Sequence, residues 1–213
     1  SANIIWQWDL FDHIIQDKKP TLPNYGVVNQ HPELLNINYA LNLKTFDWIH
    51  ANGLDYNPDL DQIVISCHNI SEFWIIDHST SISQAKSHTG GRCGKGGDLL
   101  YRWGNPEAYK NGTSADRKLF RQHNTHWVTS GQDSGAIMLF NNGWDRDSAY
   151  SSVEVIRTTI NSSGTSYGNT IPYGPTAQNW IYKDSIPTDF YSKIISGSQR
   201  LPNGNTLICS GVQ

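Results

Sequence analysis

The chain has 213 residues, enough for one domain with a substantial core, and its eight Trp and ten Tyr against a single Met favour pleated, half-buried surfaces. A formal net charge of -3 and a pI near 6.2 leave no basic footprint for nucleic acid, which is excluded as an expected partner. No apolar run is long enough to span a bilayer.

In chain order, Ile4-Ile5-Trp6-Gln7-Trp8 is the first predicted strand. An insertion over 9–46 follows, carrying Asp12-His13, His31 and three prolines, Pro20, Pro23 and Pro32. The next unit offers strands at 47–56, 61–67, 72–77 and 99–103, with Asn57 to Asp61 as the turn between its first two. Its long loop, 78–98, is Gly-rich from Gly90 to Gly97 but lacks the Lys-Ser/Thr ending of a phosphate loop. A polar connection at 104–120 has room for a short helix near Ser114 to Leu119. The same strand order then recurs at 121–129, 136–141, 152–157 and 179–183. A last hairpin runs from Ser196, turns at Pro202-Asn203-Gly204 and continues through Thr206 to Ser210.

These segments repeat one layout, a His- or polar-ended strand, a turn and an apolar strand ending in small or polar groups. The expected fold is all-β, with four-stranded antiparallel sheets set as β-propeller blades and long loop insertions. The units fall at 1–46, 47–103, 104–183 and 184–213, within one partial propeller domain over 1–213. In this scheme Ile4 to Trp8 is the outer strand of a preceding blade, because it shares its pattern with Leu99 to Trp103. The last unit stops after its second strand, and an unpaired edge there is a liability. A longer polypeptide, or a second chain completing the ring, is therefore expected. Cys67, Cys93 and Cys209 have no metal-ligand spacing, and Cys67 and Cys209 read as small core residues at strand ends; no metal and no cofactor are expected.

Several motifs carry a resemblance. Asp47-Trp48-Ile49-His50-Ala51-Asn52, the strand ending Ser66-Cys67-His68-Asn69, and Gln122-His123 leading to Leu139-Phe140-Asn141-Asn142-Gly143 resemble the bacterial arylsulfotransferase family. So do Gly97-Asp98-Leu99-Leu100-Tyr101-Arg102-Trp103-Gly104-Asn105-Pro106 and Arg200-Leu201-Pro202-Asn203-Gly204-Asn205. The resemblance covers nearly the whole chain and points to a secreted branch. It implies a six-bladed propeller, of which this chain is about half, in a secreted or periplasmic setting. It also implies transfer of a sulfuryl group from an aryl sulfate to a phenol without a nucleotide donor, through a transiently sulfated histidine. By motif the nucleophile falls on His123 and an assisting histidine on His50, with Asn52 beside it. Where the family has an arginine, this chain has His68, and a neutral imidazole does not replace a permanently charged, forked donor.

The chemistry fits those residue types. A neutral imidazole can attack sulfur and later leave it, donors must meet the sulfuryl oxygens as charge shifts, and histidine can return a proton to the phenolate. His123, His50 and His68 are thus the candidate catalytic residues, and Asn52, His13, His126 and Asn141 the candidate substrate contacts. Strand alternation sends His126 to the face opposite His123 unless a bulge intervenes. Asn141-Asn142-Gly143 is also a turn signal. His31, His78 and His88 read as loop or surface residues. Two alternatives stay open at this stage. One is a non-catalytic propeller binding a glycan, phenolic or protein ligand. The other is a metal-dependent enzyme acting on an acidic polysaccharide, with His50, His68 and His123 as ligands.

Overall fold

A computed structural model describes residues 2–39 and 47–212. The expected all-β architecture is present. β1 (Ile14–Ile15) and β2 (Leu35–Asn36) form a short parallel pair within the insertion. β3 (Ala51–Asn57), β4 (Gln62–Cys67), β5 (Glu72–Asp77) and β6 (Tyr101–Trp103) make one four-stranded antiparallel sheet in that order. β7 (His123–Trp127), β8 (Ile137–Asn141), β9 (Ser152–Ile156) and β10 (Trp180–Tyr182) make a second sheet of the same design. β11 (Gly197–Arg200) and β12 (Thr206–Cys209) pair as a hairpin.

Apolar content explains the layering. Every residue of β4, β5, β8 and β9 is buried, because both faces of each sheet are covered, and strands so placed read as continuous apolar runs. One face of the first sheet, with Val64, Phe73, Ile75 and Tyr101, packs on Trp127, Ile137, Leu139 and Ile156 of the second. Its other face, with Ile63, Ile65, Trp74 and Ile76, is covered by Leu35, Trp6, Trp8, Leu10 and Ile14. The far face of the second sheet, with Met138, Phe140, Val153 and Val155, receives Trp180, Phe190 and Ile208. The first strands of the successive units are neighbours: β3 packs against β7, and β7 against β11.

A buried ion pair ties the insertion to the first sheet. Arg102 donates through Nε to Glu72 Oε1 at 3.1 Å and through Nη2 to Oε2 at 2.5 Å. Its Nη1 donates to the carbonyls of Pro32 at 3.3 Å and Leu34 at 3.0 Å. The Trp74 indole donates to the same carboxylate at 2.9 Å, and the guanidinium lies 4.3 Å from the Tyr109 ring centroid. A buried carboxylate is tolerable only with such a set of partners.

Two expectations need correction. Ile4 to Trp8 forms no strand: Ile4 and Ile5 are exposed, and Trp6 and Trp8 instead cover the first sheet's outer face. An apolar run needs a hydrogen-bonding neighbour to become a strand, and among the described residues none pairs with it. The short helix expected near Ser114 to Leu119 is a single 3-10 turn, Ser114–Asp116, closed by a reciprocal Thr113–Asp116 capping box. The insertion expected at 9–46 includes 40–46, which lie outside the described residues.

Candidate active site

The site gathers where β3 and β7 begin and β4 and β8 end. His68 follows β4, and its backbone N–H donates to the His50 carbonyl at 3.1 Å, while Asn69 N–H donates to that of Ile49 at 3.0 Å. These bonds carry the pairing of β3 and β4 past the strand ends and hold the two histidines side by side. Gln122, just before β7, is fully buried and donates from Nε2 to the Glu72 carbonyl at 2.7 Å and to Ser66 Oγ at 3.3 Å. Gln122 thus pins the start of β7 to the first sheet, and His123 follows it directly. This is the physical content of the Gln-His pair.

The three motif histidines meet. The His50 and His68 ring centroids are 4.9 Å apart, and those of His68 and His123 are 5.1 Å apart in an edge arrangement. Each ring is held by Nδ1: His50 by Asp47 Oδ2, His68 by Asn69 Oδ1 at 2.8 Å, and His123 by Asn142 Oδ1 at 2.8 Å.

The Asn142 contact fixes a tautomer. Asn142 Nδ2 donates to the carbonyls of Ser192 and Ile195 at 2.8 and 2.9 Å, so the atom facing His123 is the amide oxygen, an acceptor. His123 must then carry its hydrogen on Nδ1, which leaves the lone pair of the neutral ring on Nε2. Asn69 acts alike for His68, because its Nδ2 donates to the Asp47 carbonyl at 2.6 Å. Burial pushes the His68 imidazole down to about 4, with His123, His50 and Arg121 adding to the shift and the Asn69 hydrogen bond opposing it. Burial also lowers His123, against its hydrogen bond to Asn142. Both rings are therefore neutral near pH 7.

A permanent cation stands beside them. Arg121 donates from Nη1 to Asn69 Oδ1 at 2.7 Å and from Nε to Asp145 Oδ2 at 2.9 Å, and its guanidinium lies 6.0 Å from the Trp144 ring centroid. Trp144 in turn makes an edge contact with His68 at 6.2 Å and is 44% exposed. Arg121 has a backbone φ of 62° and His50 one of 49°. Non-glycine residues seldom occupy this region, and when they do it is often at functional sites. Sequence reasoning assigned no role to Arg121 or Trp144. The available signal was an arginine directly before Gln122-His123, in a chain whose motif arginine is missing at position 68.

The remaining candidates divide. Asn52 donates to the Gln122 carbonyl at 2.8 Å, and its Oδ1 is buried without a hydrogen-bond partner among the described residues. Asn141 is fully buried, donating to the Lys118 carbonyl and Glu154 and accepting from the Phe120 N–H. Those bonds make it an anchor for the 118–120 backbone. A bulge does interrupt β7: His123 pairs with Phe140 and His126 with Met138, so Asn124 and Thr125 together face Leu139 and His126 returns to the side of His123. Even so, His126 hydrogen-bonds the Asn124 carbonyl at 2.8 Å and makes no ring contact with the trio. His13 lies in a separate cluster with Asp98 and His88. That cluster is the only group of three or more His, Cys, Asp or Glu side chains, among the described residues, whose ligand atoms all lie within 4.8 Å of one another. His50, His68 and His123 do not form such a group.

The sequence model of the Arylsulfotransferase (ASST) family matches residues 1–213. The chain belongs to the arylsulfotransferase family. This makes its function aryl sulfotransferase-like at the level of the family, with aryl sulfates and phenols as the substrate class. No curated protein matches the chain.

Proposed function

We propose that the chain transfers a sulfuryl group between phenolic compounds through His123. The observation that carries this reading is the Asn142 contact, which leaves the His123 Nε2 lone pair available in a neutral ring. In the first step Nε2 attacks sulfur, an N–S bond forms, and the bond from sulfur to the aryl oxygen breaks. His50, oriented by Asp47, gives a proton to the departing phenolate. In the second step an acceptor phenol loses its proton to His50 and attacks sulfur, and the N–S bond breaks to regenerate His123.

Arg121 supplies the fixed positive charge for the sulfuryl oxygens, a role that the family pattern gives to the position of His68. Its guanidinium reaches Asn69 from the neighbouring sheet, so the charge is relocated rather than lost. His68 remains a neutral donor or acceptor between the other two rings. Trp144, exposed and set against both His68 and Arg121, offers an apolar face to the aryl ring of donor or acceptor. Asn52, near Gln122, completes the polar lining.

The sheets fit blades of a propeller, because β3, β7 and β11 lie side by side and bring these groups together from separate units. The same reading carries a secreted or periplasmic setting, which cell fractionation checks. The test of function is phenol-dependent release of nitrophenolate from a nitrophenyl sulfate. Activity is expected in the wild-type chain and absent in His123→Ala. Equal release by both proteins contradicts the assignment.

A further inference from the structure

We propose that His13, His88 and Asp98 form a binding site for a zinc-class divalent cation, distinct from the sulfuryl-transfer site. The three residues come from two distant segments. His13 ends a 3-10 turn at Leu10–His13, while His88 and Asp98 flank the Gly-rich loop after β5. Asp98 Oδ1 lies 2.8 Å from His13 Nδ1 and 2.8 Å from His88 Nδ1. All the ligand atoms fall within 4.8 Å of one another.

The decisive feature is the other nitrogen of His13. Its Nε2 lies 2.8 Å from the Ala85 carbonyl oxygen, which can only accept, so Nε2 carries a hydrogen. In a neutral ring Nδ1 then holds a lone pair pointing at a carboxylate oxygen, and two acceptors at 2.8 Å repel unless a proton or a metal cation joins them. A histidine that donates one N–H to a backbone carbonyl and turns the other nitrogen to a metal is the usual second-sphere arrangement at zinc. His13 is fully buried and stacked on Trp8 at 5.7 Å with planes 2° apart, so its orientation is set by packing. The Trp8 indole donates to the Gly97 carbonyl at 2.7 Å, locking the loop to the same ring.

Gly97 shows how closely the loop is built around this histidine. A Cβ there would stand 2.5 Å from His13 Nε2 and 2.0 Å from the Ala85 oxygen, so only glycine fits. Two imidazoles and one carboxylate match the donor set of three-ligand zinc sites, with a fourth tetrahedral position left for water. Donor atoms at tetrahedral zinc are about 3.3 Å apart, so each of the two 2.8 Å contacts to Asp98 opens by roughly half an ångström on binding. His88, whose side chain is 60% exposed, reaches the site from the wall of a cavity of about 520 Å³ that Asp12, Tyr25, His31 and Leu34 also line. Solvent and small ligands therefore have a route to the open position.

The test uses the chain purified without a metal-affinity tag and stripped with a chelator. Cobalt(II) is titrated in first, followed by zinc in competition, and the variants are His88→Gln, Asp98→Asn and His50→Gln. We expect one cobalt per chain, with the intense visible bands of a tetrahedral site displaced by zinc, and a raised melting midpoint with zinc. His88→Gln, which alters an exposed side chain, should keep the fold and weaken binding by about a hundredfold or more, since loss of second-sphere partners alone costs ~10–100-fold. His50→Gln should bind as the wild type does. Failure to bind one equivalent, or binding unchanged in both His88→Gln and Asp98→Asn, overturns the proposal and leaves a hydrogen bond, not a metal, between His13 and Asp98. Binding lost in His50→Gln also overturns it, by moving the metal to the imidazole trio.

Discussion

Replacing Arg102 by Met should destabilise the protein strongly, and the structure says by how much. The substitution removes two hydrogen bonds to Glu72 and leaves a carboxylate that is 0% exposed without its counter-charge. Breaking one side of a buried ion pair costs about 3–5 kcal/mol. The carbonyls of Pro32 and Leu34 also lose a donor, and a buried acceptor left unpaired adds ~1–3 kcal/mol. Against the ~5–15 kcal/mol typical of a domain, this is a large fraction. Glu72→Met alone should cost about as much, since it strands the guanidinium. The double variant Arg102→Met/Glu72→Met removes both charges, and only the stranded carbonyls and the Trp74 indole remain, for ~1–3 kcal/mol. Urea unfolding followed by tryptophan fluorescence measures all four proteins, and the double-mutant cycle should give a coupling of about 4 kcal/mol or more. A cost below ~1 kcal/mol for Arg102→Met, or a double variant as weak as the sum of the singles, means that this ion pair does not hold the insertion to the first sheet. The fold and the site are linked here, because Gln122 hangs from the Glu72 carbonyl.

The other predictions concern the site. Arg121→Gln should lower kcat for sulfuryl transfer by ~10²–10³, the usual loss for a preorganised oxyanion donor, with Arg121→Lys intermediate because the forked contact to Asn69 and Asp145 is lost; steady-state kinetics measures both. Trp144→Ala should raise KM for the aryl substrate by roughly two- to tenfold, since an aromatic contact is worth ~0.5–1.5 kcal/mol, and change kcat less. Stability should depend on His68 in acid. Its folded pKa of about 4 lies below the unfolded value near 6.5, so the unfolded chain binds the extra proton first as pH falls. His68 therefore contributes stability above pH ~6.5 that declines by at most about 1.4 kcal/mol per pH unit down to pH ~4. Denaturant midpoints across that range should fall less steeply in His68→Asn. The nucleophile must be neutral, and burial lowers His123, so the acid limb of kcat/KM should lie below ~6.5 in a pH–rate profile.

What could be read from the sequence follows from where chemistry and pattern coincide. β4, β5, β8 and β9 were visible as apolar runs because both of their faces are buried. His50, His68 and His123 were visible through the motifs that carry the family resemblance, and their meeting was expected only through the propeller reading of the repeat. Ile4 to Trp8 misled because composition reports apolarity but not whether a partner strand exists. The bulge that turns His126 back has no residue signature here. Arg121 was overlooked because its charge reaches the His68 position from an adjacent sheet, through contacts to Asn69 at a sequence separation of 52. The His13–Asp98 contact, at a separation of 85, was invisible for the same reason. Asn141, a candidate ligand contact by sequence, spends its amide on Lys118, Glu154 and Phe120, which only the folded chain displays.

Transfer through His123 is best probed by intact-mass analysis after brief exposure of the chain to an aryl sulfate without acceptor, followed by peptide mapping. The expected result is one added sulfuryl group on the peptide that carries His123, removed on adding a phenol and absent in His123→Ala. A stable unmodified mass while phenol is released, or modification retained in His123→Ala, would contradict transfer through this imidazole.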